Sequence, residues 1–284
     1  MATMPSAPPS NISCNTYNWL TFYNREGKSW GEHLHEDIAT YAKSGLTAIE
    51  PAFNTASMAK EWIAVLKENK ISLPSIYVST LLHESTEVNK SIDTVLEIAK
   101  VVKEYGTRII VTNPSPISWT NKQNKTDDQL ILQARSLDLL GSKLRTMGLR
   151  LAYHTHDMEM MAGAREFHHM MQNTSPLNIS YCMDVHWIFR GSQNSAVAVY
   201  DIIKMYGHRI IELHIRQSTH GIWNEVFTAI GDIDYIRVAS MLRAVNRKPQ
   251  LVIEQCIENQ SPNTMNVVDA HKMDLIEVQK VFRS

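Results

Sequence analysis

Cysteine is scarce. The chain has three in 284 residues, Cys14, Cys182 and Cys256. An odd number without paired spacing argues against a disulfide framework and fits a reducing compartment. Neither sign of charge is in excess. With 28 basic residues against 29 acidic ones, the chain lacks the positive footprint of a nucleic-acid or anionic-membrane binder. No apolar run is long enough to cross a bilayer. The opening MATMPSAPPS has no basic segment followed by an apolar core, so it does not read as a secretory signal. Residues 1–10 are expected to form a flexible tail. A cytoplasmic location is the expectation, with an export signal removed upstream left open. A Gly-rich loop after the first expected strand is also missing, so nothing favours a dinucleotide-binding sheet.

What the sequence does have is a burst of polar residues at the end of an apolar run. Leu149 to Met160 reads LRLAYHTHDMEM. Leu149, Leu151, Ala152 and Tyr153 give way to His154, Thr155, His156, Asp157 and Glu159, which suggests a buried strand with a polar C-terminal end. Side chains alternate along a strand, so His154 and His156 share a face if the strand continues. Two adjacent imidazoles with carboxylates nearby can bind a divalent metal or move protons.

The same pattern repeats along the chain. Strands are expected at Ile12–Tyr17, Leu46–Glu50, Ile71–Val78, Arg108–Thr112, Leu149–His154, Asn178–Met183, Arg209–Leu213 and Gln250–Ile253. Helical spacing covers Glu32–Ser44, Ala56–Asn69, Thr86–Tyr105, Thr126–Met147, Ala162–Gln172, Ser195–Tyr206, Ile233–Val245 and Thr264–Phe282. Thr126 with Gln129 forms a capping-box pattern. Asn18–Trp30 is polar and aromatic, and is expected to be a long loop. Eight strand–helix units predict one α/β domain over residues 11–284, a (β/α)8 TIM barrel with a parallel sheet; a doubly wound open sheet is the main rival.

In such a barrel the polar strand ends converge on the C-terminal face. They are Glu50, His154 with His156, Asp184 with His186, His214 and Glu254. Strands five to eight end in His, Asp, His and Glu, and buried ionisable groups gathered in this way are costly unless paired or metal-bound. A shared divalent-metal site is the reading. Trp19, Trp119, Trp187 and Trp223 fall in segments expected on that face, where rings stack on sugars or simply pack.

The chain resembles the xylose isomerase-like TIM barrels, the sugar phosphate isomerase/epimerase or AP-endonuclease-family-2 superfamily. The resemblance runs from about Asn11 to Phe282. It is carried by LAYHTHDMEM (Leu151–Met160), CMDVHW (Cys182–Trp187), RIIELHIRQS (Arg209–Ser218), GDIDY (Gly231–Tyr235), LVIEQ (Leu251–Gln255) and NPSPISW (Asn113–Trp119). It implies Mn, Mg, Zn or Co held by His154, Asp184, His214 and Glu254. The chain departs from the family at His154, where the usual ligand is Glu, and at Arg216-Gln217, where many relatives have Lys and Asp. Neutral imidazole leaves a bound ion more electrophilic.

The resemblance implies an isomerase or epimerase that passes a small sugar or sugar derivative through an enediolate. Glu254, or Glu159 from the other side, takes the proton next to the carbonyl. Glu50, His156, His186, Arg216 and Trp119 are the substrate-binding candidates; His156 and His186 are equally readable as groups that orient the ligands. With His154 in place of a carboxylate, one strong base remains, which favours isomerisation or elimination over epimerisation unless Glu159 reaches the pocket. The alternative is a lyase or dehydratase acting on a keto-sugar, keto-inositol or keto-glycoside by the same chemistry. DNA repair is disfavoured, because Trp187 stands where the endonucleases have a histidine. The expected partners are a small carbohydrate, no nucleic acid and no membrane, with a homo-oligomer left open.

Overall fold

The computed structural model describes residues 12–282; the tail expected over residues 1–10 lies outside them. The elements run β1 (Ile12–Asn15), α1 (Thr16–Arg25), α2 (Leu34–Ala42), β2 (Ile49–Glu50), α3 (Ala56–Glu68), β3 (Ser75–Tyr77), α4 (Val88–Glu104), β4 (Ile109–Thr112), α5 (Asp127–Thr146), β5 (Arg150–His154), α6 (Met161–Gln172), β6 (Ile179–Asp184), α7 (Val185–Gly191), α8 (Ala196–Tyr206), β7 (Ile210–Ile215), β8 (Ser218–Thr219), β9 (Ile222–Trp223), α9 (Tyr235–Ala244), β10 (Gln250–Ile253) and α10 (Val267–Phe282). Eight strands pair in parallel in the order β2-β1-β10-β7-β6-β5-β4-β3. Isolated bridges at Ala48–Ser72 and Ala52–Tyr77 join β2 to β3 and complete a nearly closed ring. The fold is the expected TIM barrel, and β10 is its eighth strand.

Two apolar layers hold it. Between sheet and helices lies the large core; α4, for example, buries Ile92, Val95, Ile98, Ala99 and Val102, the i, i+3, i+4 face read from sequence. Inside the ring sits a smaller cluster of Ile109, Val111, Ala152, Cys182 and Ile211. The capping box at Thr126 and Gln129 is formed, a device that stabilises a helix start by about 1 kcal/mol. Gly141 is required by packing, since a Cβ there would lie 2.4 Å from the Asn178 carbonyl oxygen.

Three local expectations are corrected. Asn18–Trp30 is not one long loop: α1 occupies its first part, started by the Asn15 side chain accepting from Tyr17 N at 2.8 Å. Trp19 is therefore not a top-face ring. It is buried on α1, 5.0 Å from Tyr41 and 5.1 Å from both Trp30 and His271. Apolar Trp19 and Phe22 at i, i+3 outweigh the polar residues around them. The third concerns Trp187, which falls outside every strand and helix read from the sequence: it lies on the short α7, between β6 and α8.

Candidate active site

Strand register places the polar ends side by side. His154 aligns with Cys182, Cys182 with Glu212, and Asp184 with His214. Val252 aligns with His214, and Glu254 N donates to Ile215 O at 2.9 Å. Because side chains alternate, His154 and Asp184 each sit one step above an interior residue, Ala152 and Cys182. The outcome is a cluster in which one donor atom each from His154, Asp184, His214 and Glu254 lies within 4.8 Å of the others. All four residues are buried.

The hydrogen bonds of this cluster are incomplete. Asp184 Oδ1 accepts from Trp187 N at 2.7 Å and so starts α7, while its Oδ2 has no hydrogen-bond partner. Neither ring nitrogen of His154 has one either; Nε2 is 3.6 Å from Asp184 Oδ2. A buried polar atom left unpaired costs roughly 1–3 kcal/mol, so several in one place mark a functional site. Two imidazoles and two carboxylates converging, with unpartnered atoms on His154 and Asp184, fit a divalent cation.

Glu254 is held on two sides. Its Oε2 lies 2.5 Å from His214 Nδ1, and its Oε1 accepts from an Arg216 guanidinium nitrogen at 2.8 Å. Burial alone would raise its pKa, but Arg216 and His214 pull it well below the usual carboxylate range. Arg216 is itself buried, 4.2 Å from the Trp223 ring and 5.1 Å from that of Trp187.

Beneath the cluster is a second group of donors that sequence reading did not single out as a group. His214 Nε2 lies 3.0 Å from Glu50 Oε2 and 3.5 Å from Glu212 Oε1. Burial, partly offset by His214, raises the Glu50 pKa to about 7. Burial would lower the pKa of His214, but Cys182, Glu50 and Glu254 reverse this and raise it well above its ordinary value. Glu212 had a sequence signal, a carboxylate in the middle of the apolar run RIIELHI.

A cavity of about 730 Å³ opens above the cluster, with His154, His156, His214 and Glu254 among its lining. Trp119 and His156 stand in its wall with ring centroids 5.0 Å apart, and His156 lies 5.7 Å from Trp187. Burial and the neighbouring His154 keep the His156 pKa well below its ordinary value, so the ring is neutral. Asp157, not singled out as a site residue from sequence, also lines the cavity and pairs with Lys122 at 3.0 Å. Glu50, His186, Arg216 and Glu159 are buried outside the lining. His186 Nε2 lies 2.9 Å from Ser218 Oγ, on the hairpin β8–β9. Burial and Arg216 lower the His186 pKa to about 3. Glu159 accepts from His156 N at 2.6 Å and Asn113 Nδ2 at 3.1 Å, and so ties the loop after β5 to the end of β4.

The model of one protein family, described as xylose isomerase-like TIM barrel, matches residues 38–273. No curated protein matches the chain by sequence. Among solved structures, a sugar phosphate isomerase/epimerase from Parabacteroides distasonis superposes with a TM-score of 0.73 at 14% identity, covering 98% of this chain and 96% of that one. A D-allulose 3-epimerase from Methylomonas sp., solved with D-allulose, gives 0.69 at 13% identity over 95% and 96%. A xylose isomerase-like TIM barrel protein from Mycobacterium smegmatis, solved with magnesium, gives 0.70 at 11% identity over 95% and 96%. At these identities the likeness is one of fold.

Proposed function

The chain belongs to the xylose isomerase-like TIM barrel family, and from that premise we propose that it isomerises a small sugar or sugar derivative by moving a proton next to a carbonyl, with a divalent metal as cofactor. The observation that carries this reading is the four-donor cluster with its unpaired His154 and Asp184 atoms at the base of a cavity of about 730 Å³. His154, Asp184, His214 and Glu254 would hold the ion. A bound divalent cation supplies Lewis-acid polarisation of a carbonyl and its neighbouring hydroxyl.

The chain's own groups supply the rest. Glu254, kept anionic by Arg216 and His214, is the base that takes the proton on carbon. Neutral His156 in the cavity wall can relay a proton between adjacent oxygens. Glu159 is engaged by two donors away from the cavity, and Asp157 is engaged by Lys122. With Glu159 outside the cavity lining and Asp157 tied to Lys122, Glu254 at the floor is left as the single base on one face of the substrate. This favours isomerisation, which needs a single face, over epimerisation, which needs two. A cytoplasmic setting is consistent with three buried cysteines and no disulfide between them. No helix among the described residues is long and apolar enough to cross a membrane.

A second reading is favoured by the size of the cavity. After the same first step on a keto-glycoside, the electron pair left at the deprotonated carbon forms a C=C bond as the β C–O bond breaks, and the aglycone leaves as its alcohol or phenol, a lyase reaction. Incubating the protein with Mn and panels of aldoses, ketoses and keto-glycosides in D2O tests both. Deuterium entering at the carbon next to the carbonyl supports the common first step, and release of the aglycone selects the lyase. Neither exchange nor aglycone release with any sugar in Mn, Mg, Co or Zn overturns the reading.

A further inference from the structure

The cavity has two chemically different ends. Its floor carries His154, His214 and Glu254; its mouth carries Tyr17 and Trp119, which are 49% and 58% exposed. Tyr17 follows β1 and Trp119 follows β4, three strands apart around the ring. Leu20 and Trp30 add apolar surface on the Tyr17 side. A large indole this open to water is a poor use of apolar area unless something covers it.

The wall that bears Trp119 is also fixed in place. Lys125, buried at the end of the same loop, donates to Pro114 O at 3.1 Å and to Glu166 at 2.6 Å. Lys122 pairs with Asp157 across the loop, and the Trp119 ring meets His156 edge to face. An anchored aromatic wall binds without a large ordering cost.

Size decides what this mouth takes. Pockets for drug-sized ligands run to roughly 300–1,000 Å³, and this cavity, at about 730 Å³, lies well inside that range. A free monosaccharide is far smaller than such a ligand and polar on its edges. It would satisfy the floor and leave the mouth wet. We propose that the substrate is a glycoside, with its sugar over the donor cluster and a planar aromatic aglycone lodged between Tyr17 and Trp119. This rests on the keto-glycoside version of the proposed function, because an ordinary aldose–ketose exchange needs a free anomeric centre.

The test is calorimetric titration of the Mn-loaded protein with three probes: glucose, and two glycosides that have neither a keto group nor a free anomeric centre, methyl β-D-glucoside and phenyl β-D-glucoside. The phenyl glycoside is expected to bind at least tenfold tighter than the methyl one, about 1.4 kcal/mol. That ratio should fall towards one in Trp119→Ala and in the Tyr17→Ala/Trp119→Ala double variant, and largely survive in Trp119→Phe. Equal binding of the two glycosides, tighter binding of glucose, absence of phenyl glucoside binding, or a ratio unchanged in the double variant each overturns the proposal. The functional reading fails separately: a phenyl preference with neither deuterium exchange on keto-glycosides nor aglycone release from them would leave the subsite standing and remove the chemistry.

Discussion

Glu50 Oε2 lies 3.0 Å from His214 Nε2, on the ring nitrogen opposite the one that faces Glu254. A carboxylate in that position fixes the tautomer, leaving Nδ1 to the metal, and raises the basicity of the ring; losing such a partner typically costs 10–100-fold in metal affinity. Glu50→Gln is therefore expected to weaken Mn binding at least tenfold in a competition titration with a chelator. Glu212→Gln, whose carboxylate is 3.5 Å away, should cost less. Unchanged affinity in Glu50→Gln would mean that Glu50 does not orient the ligand.

The single-base reading sets an order among three carboxylates. Glu254→Gln should lower kcat by at least 100-fold, the lower end of what a positioned base contributes. Glu159→Gln and Asp157→Asn should stay within about tenfold of the unmodified protein. If either proves as inactive as Glu254→Gln, with metal content by elemental analysis and circular dichroism intact, two bases are at work and an epimerase is the better description.

Stability should fall in acid through His271. Its ring is buried against Trp19 and Phe22, and burial lowers its pKa from 6.5 to about 4. The unfolded chain therefore binds this proton first, and the folded state loses ground as pH drops from about 6.5 to about 4, by about 3 kcal/mol over the window. Urea midpoints across pH 4–7 should show this slope, and it should be shallower in His271→Gln. Parallel curves for the two proteins would remove His271 from the account.

Backbone strain sits just after the site. Ala162, Gly163 and Ala164 at the start of α6 are left-handed, Ala162 at φ 51° and ψ 44°. An alanine held there costs roughly 1–2 kcal/mol, part of which glycine gives back through its freer unfolded state. Ala162→Gly is expected to raise stability by about 0.5–1 kcal/mol in denaturant unfolding. A loss of stability would show that the alanine methyl packs usefully.

The barrel is readable in the sequence because β-branched runs such as RIIVT and RIIELHI end at turn residues or charges, and because Thr126 and Gln129 announce a helix. β10 falls at the expected residues. The hairpin β8–β9 is not readable, since strands of two residues carry no periodicity. At the site, His154, Asp184, His214 and Glu254 stand out as polar groups closing apolar runs. Their partners do not. That Glu50 meets a histidine 164 positions away, and that Arg216 turns in to Glu254, depend on register and on how the ring closes. No local pattern encodes either.

Asp184 closes a strand, offers a lone pair to the cluster and starts α7 through Trp187 N. Each task accepts several amino acids. Asp, Glu, His and Cys can serve as ligands, while Ser, Thr, Asn and Asp can begin a helix by capping it. The two sets share one member. An amide would keep the helix start and lose the anionic donor; a longer acid would keep the charge and lose the cap. Inserting or deleting one residue there would displace both partners at once, so this position has no neutral neighbours in sequence space.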